Sequence, residues 1–333
     1  MFTKILVWTF RILVGGLFVF SGFVKVNDIV GFAIKLDKYW FAFEAATGIG
    51  FSALTNVSSS ISLVFSILET ALGFFLLLGI WRKFTTWALL LMIIFFTFLT
   101  AWAAITKSVP DCGCFGSAFT IPSWTSFSKD VVLLGMIGFL YINAGYIEPI
   151  FKRPRSMSHI LGSSITLIIT LFTLYTYFYL PLLDFRPSKV GAQFDEIIEM
   201  DLNTGETPLE GYIPIEEKCS GARPFEGRTM FVVMKDMTYL DKDDFNQVLL
   251  TVKDAEKLGI VSYGMTTTNT DVADKLAAGN GLDLCITPQD QDFIKTIIRS
   301  NLGYILLKDG KIMAKWSSAN TPDKADLEAV LNE

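Results

Sequence analysis

Long apolar runs alternate with short polar interruptions up to about residue 185, and the chain then changes character. Residues 5–26, 60–80, 84–106, 130–147 and 159–183 are each long enough to cross about 30 Å of hydrocarbon as a helix. The third run carries no charge between Phe84 and Ile105, whereas the fourth is the shortest and has the least defined ends. The first is too long for a secretory signal, contains Arg11 and lacks a small-x-small cleavage pattern, so it is read as a span. Between the first two spans, residues 28–58 are too many for a turn. There Lys35, Lys38, Trp40, Phe41 and Phe43 mix basic and aromatic side chains, as in a segment lying in the membrane interface. This segment is predicted to lid the outer face of the bundle, with Trp40 and Phe41 as interfacial anchors; anchoring alone accounts for the same residues.

Beyond residue 185 the pattern shortens into strands alternating with helices, which predicts a mixed α/β domain. Strands are expected at 229–234, 260–264 and 282–285, and helices at 242–258, 271–278, 293–299 and 324–331. Residues 304–307 and 312–316 read as a hairpin turning at Asp309-Gly310. The expected organisation is a four-helix membrane domain over 1–150 and a basic loop with the fifth span over 151–185. A linker or irregular segment over 186–225 and an α/β domain over 226–333 complete it.

Composition agrees with a membrane location: 51% of the 333 residues are hydrophobic and 18% charged, against about 25% charged in soluble domains. Lipids are therefore the first partners. The net charge of −5, with no basic stripe or stacking motif, gives no support for nucleic-acid binding. Lys4, the pair Arg82 and Lys83, and the group Lys152, Arg153 and Arg155 all fall on one side if there are five spans. The positive-inside rule makes that side cytoplasmic. The expected location is a bacterial inner membrane, with the N-terminus inside and the C-terminal domain in the periplasm.

All four cysteines then lie outside, where disulfides form and persist. Cys112 and Cys114 flank Gly113 in a short loop between the third and fourth spans. A disulfide between them closes a small, strained ring that is easily reduced. It removes almost no loop entropy, which favours an exchanging pair over a staple. Gly113 and Gly116 supply the backbone freedom of a tight turn. Asp111 opposes a thiolate, and no basic residue directly flanks the pair, Lys107 being the nearest in sequence. Structural disulfides with Cys219 or Cys285, or inert thiols, stay open. Two thiolates make half a zinc site, but the single histidine, His159, falls on the predicted inner side, so no metal is assigned. Cys219 and Cys285 are candidates for a structural disulfide, although four cysteines allow three connectivities.

Glu69 falls in the middle of the second span. A carboxylate there faces a bundle interior or a cavity, with Lys25 or Arg11 as partner. Two roles stay open for it: a proton or quinone-headgroup contact, or an ion pair that fixes helix register.

The Ser21-Gly22-Phe23-x-Lys25 exit and the Glu69-x-x-x-Gly73 span resemble the DoxX family of small bacterial membrane proteins. The Cys112-Gly113-Cys114-Phe115-Gly116 loop, followed by Lys129-Asp130 at the mouth of the fourth span, resembles MauE. The resemblance covers about residues 5–147. It implies a four-helix bundle similar to that of vitamin K epoxide reductase, and a role in maturing disulfide-containing periplasmic proteins. Residues 226–333 resemble thioredoxin-like domains of the TlpA and peroxiredoxin-related group. Lys235-Asp236-Met237-Thr238-Tyr239-Leu240 carries no cysteine where that group has Cys-x-x-Cys, and Asn301-Leu302-Gly303 stands where it places a proline. The catalytic residues therefore do not carry over.

The leading expectation is a thiol–disulfide redox or maturation factor for envelope proteins, acting through Cys112 and Cys114. The alternative is a non-catalytic scaffold or docking subunit of an envelope assembly or transport complex. An envelope client or complex subunit is the expected protein partner. No cofactor is assigned, and a quinone stays open as electron partner.

Overall fold

The computed structural model describes residues 1–109, 113, 116, 121–150, 154–198 and 212–332. The chain divides into two compact units, Met1–Tyr177 and Phe178–Glu333. The first holds helices α1 (Phe2–Asn27), α2 (Ile29–Thr47), α3 (Ser58–Leu78), α4 (Arg82–Thr106), α5 (Ser123–Ile142) and α6 (Arg155–Phe178). Among the described residues, five helical stretches are long and apolar enough to cross a membrane: Phe2–Asn27, Phe51–Leu78, Arg82–Thr106, Ser123–Ile142 and Ser156–Phe178.

Local chemistry sets the boundaries. The Asp28 carboxylate accepts from Gly31 N and starts α2, which ends at Gly48 with φ 70°. Gly79, with φ 68°, ends α3. Trp81 takes up φ 41° between α3 and α4, held by ring contacts with Phe75 and His159. The fourth span starts earlier than expected, directly after Pro122, because a proline suits the entry of a helix and lacks the N–H that a helix interior needs. Its start places Lys129 and Asp130 inside the helix rather than at its mouth. The fifth span stops at Phe178 instead of 183, just short of Pro181, which cannot continue it.

Most of the 28–58 segment is helical. Ile29, Phe32, Ala33, Leu36 and Tyr39, at helical spacing, form the buried face of α2, and Phe51–Val57 forms a 3-10 turn leading into α3. The bundle core joins Val14 and Phe18 of α1 to Ala71 and Phe75 of α3, Ile93 of α4 and Ile137 of α5.

The second unit is a mixed α/β domain. After a short helix α7 (Phe194–Ile198) come β1 (Arg228–Met234), α8 (Lys242–Lys257), β2 (Val261–Thr266) and α9 (Thr270–Gly279). Then follow β3 (Ile286–Pro288), α10 (Gln291–Ile297), β4 (Leu302–Lys308), β5 (Lys311–Ser317) and α11 (Lys324–Leu331). The five-stranded sheet has the order β3-β2-β1-β4-β5. β1 pairs in parallel with β2 and antiparallel with β4, and β4 pairs antiparallel with β5. Both central strands are buried on both faces and read as unbroken apolar runs. The β4–β5 turn puts Asp309 and Gly310 at φ 48° and 76°, the geometry of a two-residue hairpin. The strand expected at 282–285 lies instead at Ile286–Pro288, since Asn280-Gly281 extends the turn after α9.

One sheet face packs Met230, Val232, Tyr304 and Leu306 with Phe245 and Val248. The other packs Phe231, Val233, Ile305 and Leu307 with Phe293. Phe194, Ile215 and Cys219, from the segment expected as a linker, complete that second core.

Candidate functional site

Three charged side chains buried in the bundle, Lys25, Glu69 and Asp130, line one cavity, and glycines make the grouping close. A Cβ on Gly22 of α1 would lie 2.3 Å from Thr70 Oγ1 and 2.9 Å from Thr70 Cα of α3. One on Gly73 of α3 would lie 2.8 Å from the Val19 nitrogen of α1. Small residues let the two backbones touch, and the contact brings Lys25 against Glu69.

The Lys25 ammonium donates to Glu69 Oε1 at 2.9 Å, to Oε2 at 2.8 Å and to Ser21 Oγ at 3.0 Å. All three of its protons therefore have acceptors. Both side chains are nearly inaccessible, at 2% and 4%, and the Phe32 and Phe96 rings lie 5.3 Å from the ammonium. Of the two partners expected for Glu69, the structure brings in Lys25. Arg11 donates to Leu76 O, Leu77 O and Glu148 O, covering the open carbonyls at the end of α3.

A second pair stands across the cavity. Asp130 of α5 accepts from Lys129 Nζ at 2.7 Å through Oδ1 and from Thr100 Oγ1 of α4 at 3.0 Å through Oδ2. Asp130 is buried, while Lys129 remains partly accessible. Adjacent helical residues point in different directions, so the flexible Lys129 stem must fold back to make this contact. Both pairs line an internal cavity of about 30 Å³, together with Ser21, Tyr39 and Thr100 and an apolar wall that includes Phe32, Leu36 and Phe96. That volume is large enough for a water molecule, which needs roughly 10–15 Å³. It is too small for a quinone ring.

Cys112 and Cys114 lie outside the described residues. Gly113 between them is described, and so is Gly116. They take φ 66° and 55°, and the Gly116 N–H donates to Gly113 O at 2.9 Å. A Cβ on Gly113 would lie 2.7 Å from Lys35 Cγ, and one on Gly116 would lie 3.3 Å from Val24 Cγ1. Lys35 precedes the cavity-lining Leu36, and Val24 precedes Lys25. The loop's two glycines thus rest on residues that adjoin the polar cavity. Sequence proximity suggested Lys107 as the nearest base, but folding brings Lys35 to Gly113. The helical spacing of Ile29, Phe32, Ala33 and Leu36 was the signal for this, partly hidden by the charges at Lys35, Asp37 and Lys38.

The other singled-out residues fall elsewhere. Trp40 Nε1 donates to Ser58 Oγ at 3.0 Å, and Phe41 is exposed. In the α/β unit the sulfurs of Cys219 and Cys285 are 1.99 Å apart, with Cα atoms separated by 6.0 Å. After β1, the Asn301 side chain accepts from Asp236 N at 2.8 Å and its carbonyl accepts from Lys235 N at 2.7 Å. This fixes the cysteine-free 235–240 segment against the start of β4.

The α/β unit also contains a buried charge cluster. Arg186 donates to Asp184 through Nε at 2.6 Å and through a terminal nitrogen at 2.7 Å. Lys315 donates to Ser188 Oγ at 3.1 Å and Ile297 O at 2.9 Å, and lies 3.5 Å from Asp184. Burial, reinforced by Arg186, pushes the Lys315 ammonium down to about 7 against the attraction of Asp184. Burial also opposes ionisation of Asp184, but hydrogen bonding and charge from Arg186, with Lys315, outweigh it and hold that carboxyl below its ordinary value.

Residues 3–143 match the model of a family described as methylamine utilisation protein MauE. This match covers less than half of the chain and all of the cavity-lining residues. No curated protein and no solved structure matches.

Proposed function

We propose that this chain is a thiol–disulfide redox or maturation factor for envelope proteins, with Cys112 and Cys114 as the exchanging pair. The observation that carries this reading is the seat of Gly113 on Lys35 and of Gly116 beside Val24, residues one position from the cavity-lining Leu36 and Lys25. The contact is made by the Lys35 stem, Cβ to Cδ; the ammonium at the end of that flexible stem supplies the positive charge that favours a thiolate, the form that exchanges. The family match over residues 3–143 supports the membrane half of the reading.

The exchange conserves atoms and electrons. A client thiolate attacks one sulfur of the Cys112–Cys114 disulfide; that S–S bond breaks, and a mixed disulfide and one protein thiolate form. The second client thiolate then displaces the other cysteine, so the client is oxidised and the pair reduced. A second disulfide-bearing partner regenerates the pair by the reverse exchange.

The α/β unit supports a binding role. Its strand order β2-β1-β4-β5, with a helix following β1, fits a thioredoxin-like arrangement. The turn after β1 is closed by Asn301 and has no thiol of its own. The location expected from the basic residues places this unit and the cysteine loop on the periplasmic side of the inner membrane.

The test replaces both loop cysteines (Cys112→Ser with Cys114→Ser) and, separately, deletes residues 186–333, with the disulfide content of envelope proteins as readout. The proposal expects the double serine variant to lose oxidation while the protein remains in the membrane. Full oxidation by that variant, with loss only on deletion of 186–333, would replace this reading with that of a scaffold.

A further inference from the structure

At the end of the bundle that carries Arg82 and Lys83, three surface hollows share Phe84. One is an apolar groove of about 410 Å³ between α3 and α4, where Leu68, Ala71 and Leu72 face Trp87, Ala88 and Leu91. On α4 it runs from Phe84 to Phe95. At 1.5 Å per residue that is about 16 Å, roughly half of the 30 Å hydrocarbon core. The groove therefore has the length of one leaflet.

Its Phe84 end opens into a polar hollow of about 560 Å³ lined by Trp81, Arg82, Lys83, Ser158 and His159. Lys83 is exposed, and its ammonium has no hydrogen-bond or ion-pair partner among the described residues. Arg82 donates through one terminal nitrogen to Gly145 O at 3.0 Å and Ile147 O at 3.3 Å. The acidic side chain at this end, Glu148, is engaged by Lys4 at 3.3 Å. The mouth thus carries the Lys83 ammonium and the Arg82 guanidinium next to a groove that is almost wholly apolar.

We propose that this is a binding site for an anionic phospholipid. Its phosphate contacts Lys83, Arg82 and His159, and one acyl chain lies along the α3–α4 groove. Charge complementarity selects the headgroup, and the groove selects a chain rather than a free anion. The site involves neither the cysteine loop nor the internal cavity, so it stands or falls independently of the redox reading.

Native mass spectrometry of the full-length protein, released from detergent in an equimolar mixture of phosphatidylglycerol and phosphatidylcholine, tests it. The wild type should retain phosphatidylglycerol preferentially. Lys83→Gln should weaken that retention about fivefold, the equivalent of about 1 kcal/mol for one basic side chain near a charged headgroup, with phosphatidylcholine unaffected. Ala88→Phe, which fills the groove, should reduce retention of both lipids, whereas Lys38→Gln, on α2, should change neither. Circular dichroism of each variant separates loss of lipid from loss of fold. Equal retention of the two lipids by the wild type, or wild-type phosphatidylglycerol retention by folded Lys83→Gln, would overturn the proposal.

Discussion

The two units bury charge in different ways. In the bundle, Lys25 pairs with Glu69 and Lys129 with Asp130 beside a water-sized cavity, while the buried Arg11 is met by backbone carbonyls. In the α/β unit, Arg186 and Lys315 converge on the single carboxylate of Asp184, and the excess positive charge is met by Ser188 Oγ and the carbonyls of Thr296 and Ile297. The first arrangement is neutral and has space beside it, so protons can move with little net charge change. The second is directionally satisfied, and it ties residues 184–188 to β5 and to the end of α10. Similar residue types thus build a site in one unit and a clasp in the other. The cysteines are proposed to divide in the same way: Gly113, between the loop pair, packs against Lys35, whereas Cys219 and Cys285 are at bonding distance across 66 residues of sequence.

The largest effect that would break this comparison belongs to the neutral pair. Glu69→Gln or Lys25→Met alone leaves one uncompensated buried charge or polar group and should cost about 3–5 kcal/mol. The double replacement Lys25→Met with Glu69→Leu should recover most of that loss. Unfolding of the protein in nanodiscs reads both, and an additive double variant would show that the two side chains do not act as a pair.

Next comes Cys219→Ala. Opening a 66-residue loop should cost the α/β unit about 4 kcal/mol on the loop-entropy estimate. It should leave alkylation of Cys112 and Cys114 unchanged. Altered reactivity of the loop pair in that variant would dissolve the division between exchanging and structural cysteines.

Gly22→Ala sharpens the geometry of the site. Its methyl would meet the backbone of Thr70, a rigid neighbour, so a loss of about 1–3 kcal/mol is expected from overpacking. Gly16→Ala, where a Cβ meets nothing within 4 Å, serves as the control on the same helix and should be close to neutral.

A pH dependence of the clasp, spread over several pH units and hence small at each step, comes last. Lys315 has a folded-state value lowered to about 7, against about 10.4 when unfolded. Between those values the unfolded chain binds more protons. Stability of the α/β unit should therefore rise from pH 7 towards 10, by at most about 1.4 kcal/mol per pH unit. Asp184 acts at the acid end: its lowered value means that its contribution is present above the unfolded value and is lost as pH falls through the folded one. Lys315→Met should flatten the alkaline rise while Asp184 and Arg186 keep the acid side. A rise undiminished in Lys315→Met would assign the titration to another group.

Much of the architecture was legible because it rests on period and length. The five spans, the hairpin at Asp309-Gly310 and the apolar runs of β1 and β4 follow from local sequence alone. The site was harder to read. Glu69 announced itself as a carboxylate in an apolar span, but Lys25 and Arg11 were equal candidates for its partner. Only the close approach at Gly22 and Gly73 decides between them, and it depends on which helix faces which. Asp130 was hidden by position: it lies on the apolar side of a helix whose true start, after Pro122, was not evident from hydropathy. Lys35 was missed because a charge in a mixed segment looks solvated until the helical period of α2 is recognised.

The central claim is that Cys112 and Cys114 exchange while Cys219 and Cys285 do not. Thiol trapping in intact membranes, before and after mild reductant, with mass mapping of all four cysteines, tests it directly. The account predicts that Cys112 and Cys114 shift together between a disulfide and two alkylated thiols, and that Cys219 and Cys285 stay joined throughout. A loop pair that is reduced under every condition, or joined permanently to Cys219 or Cys285, would contradict it.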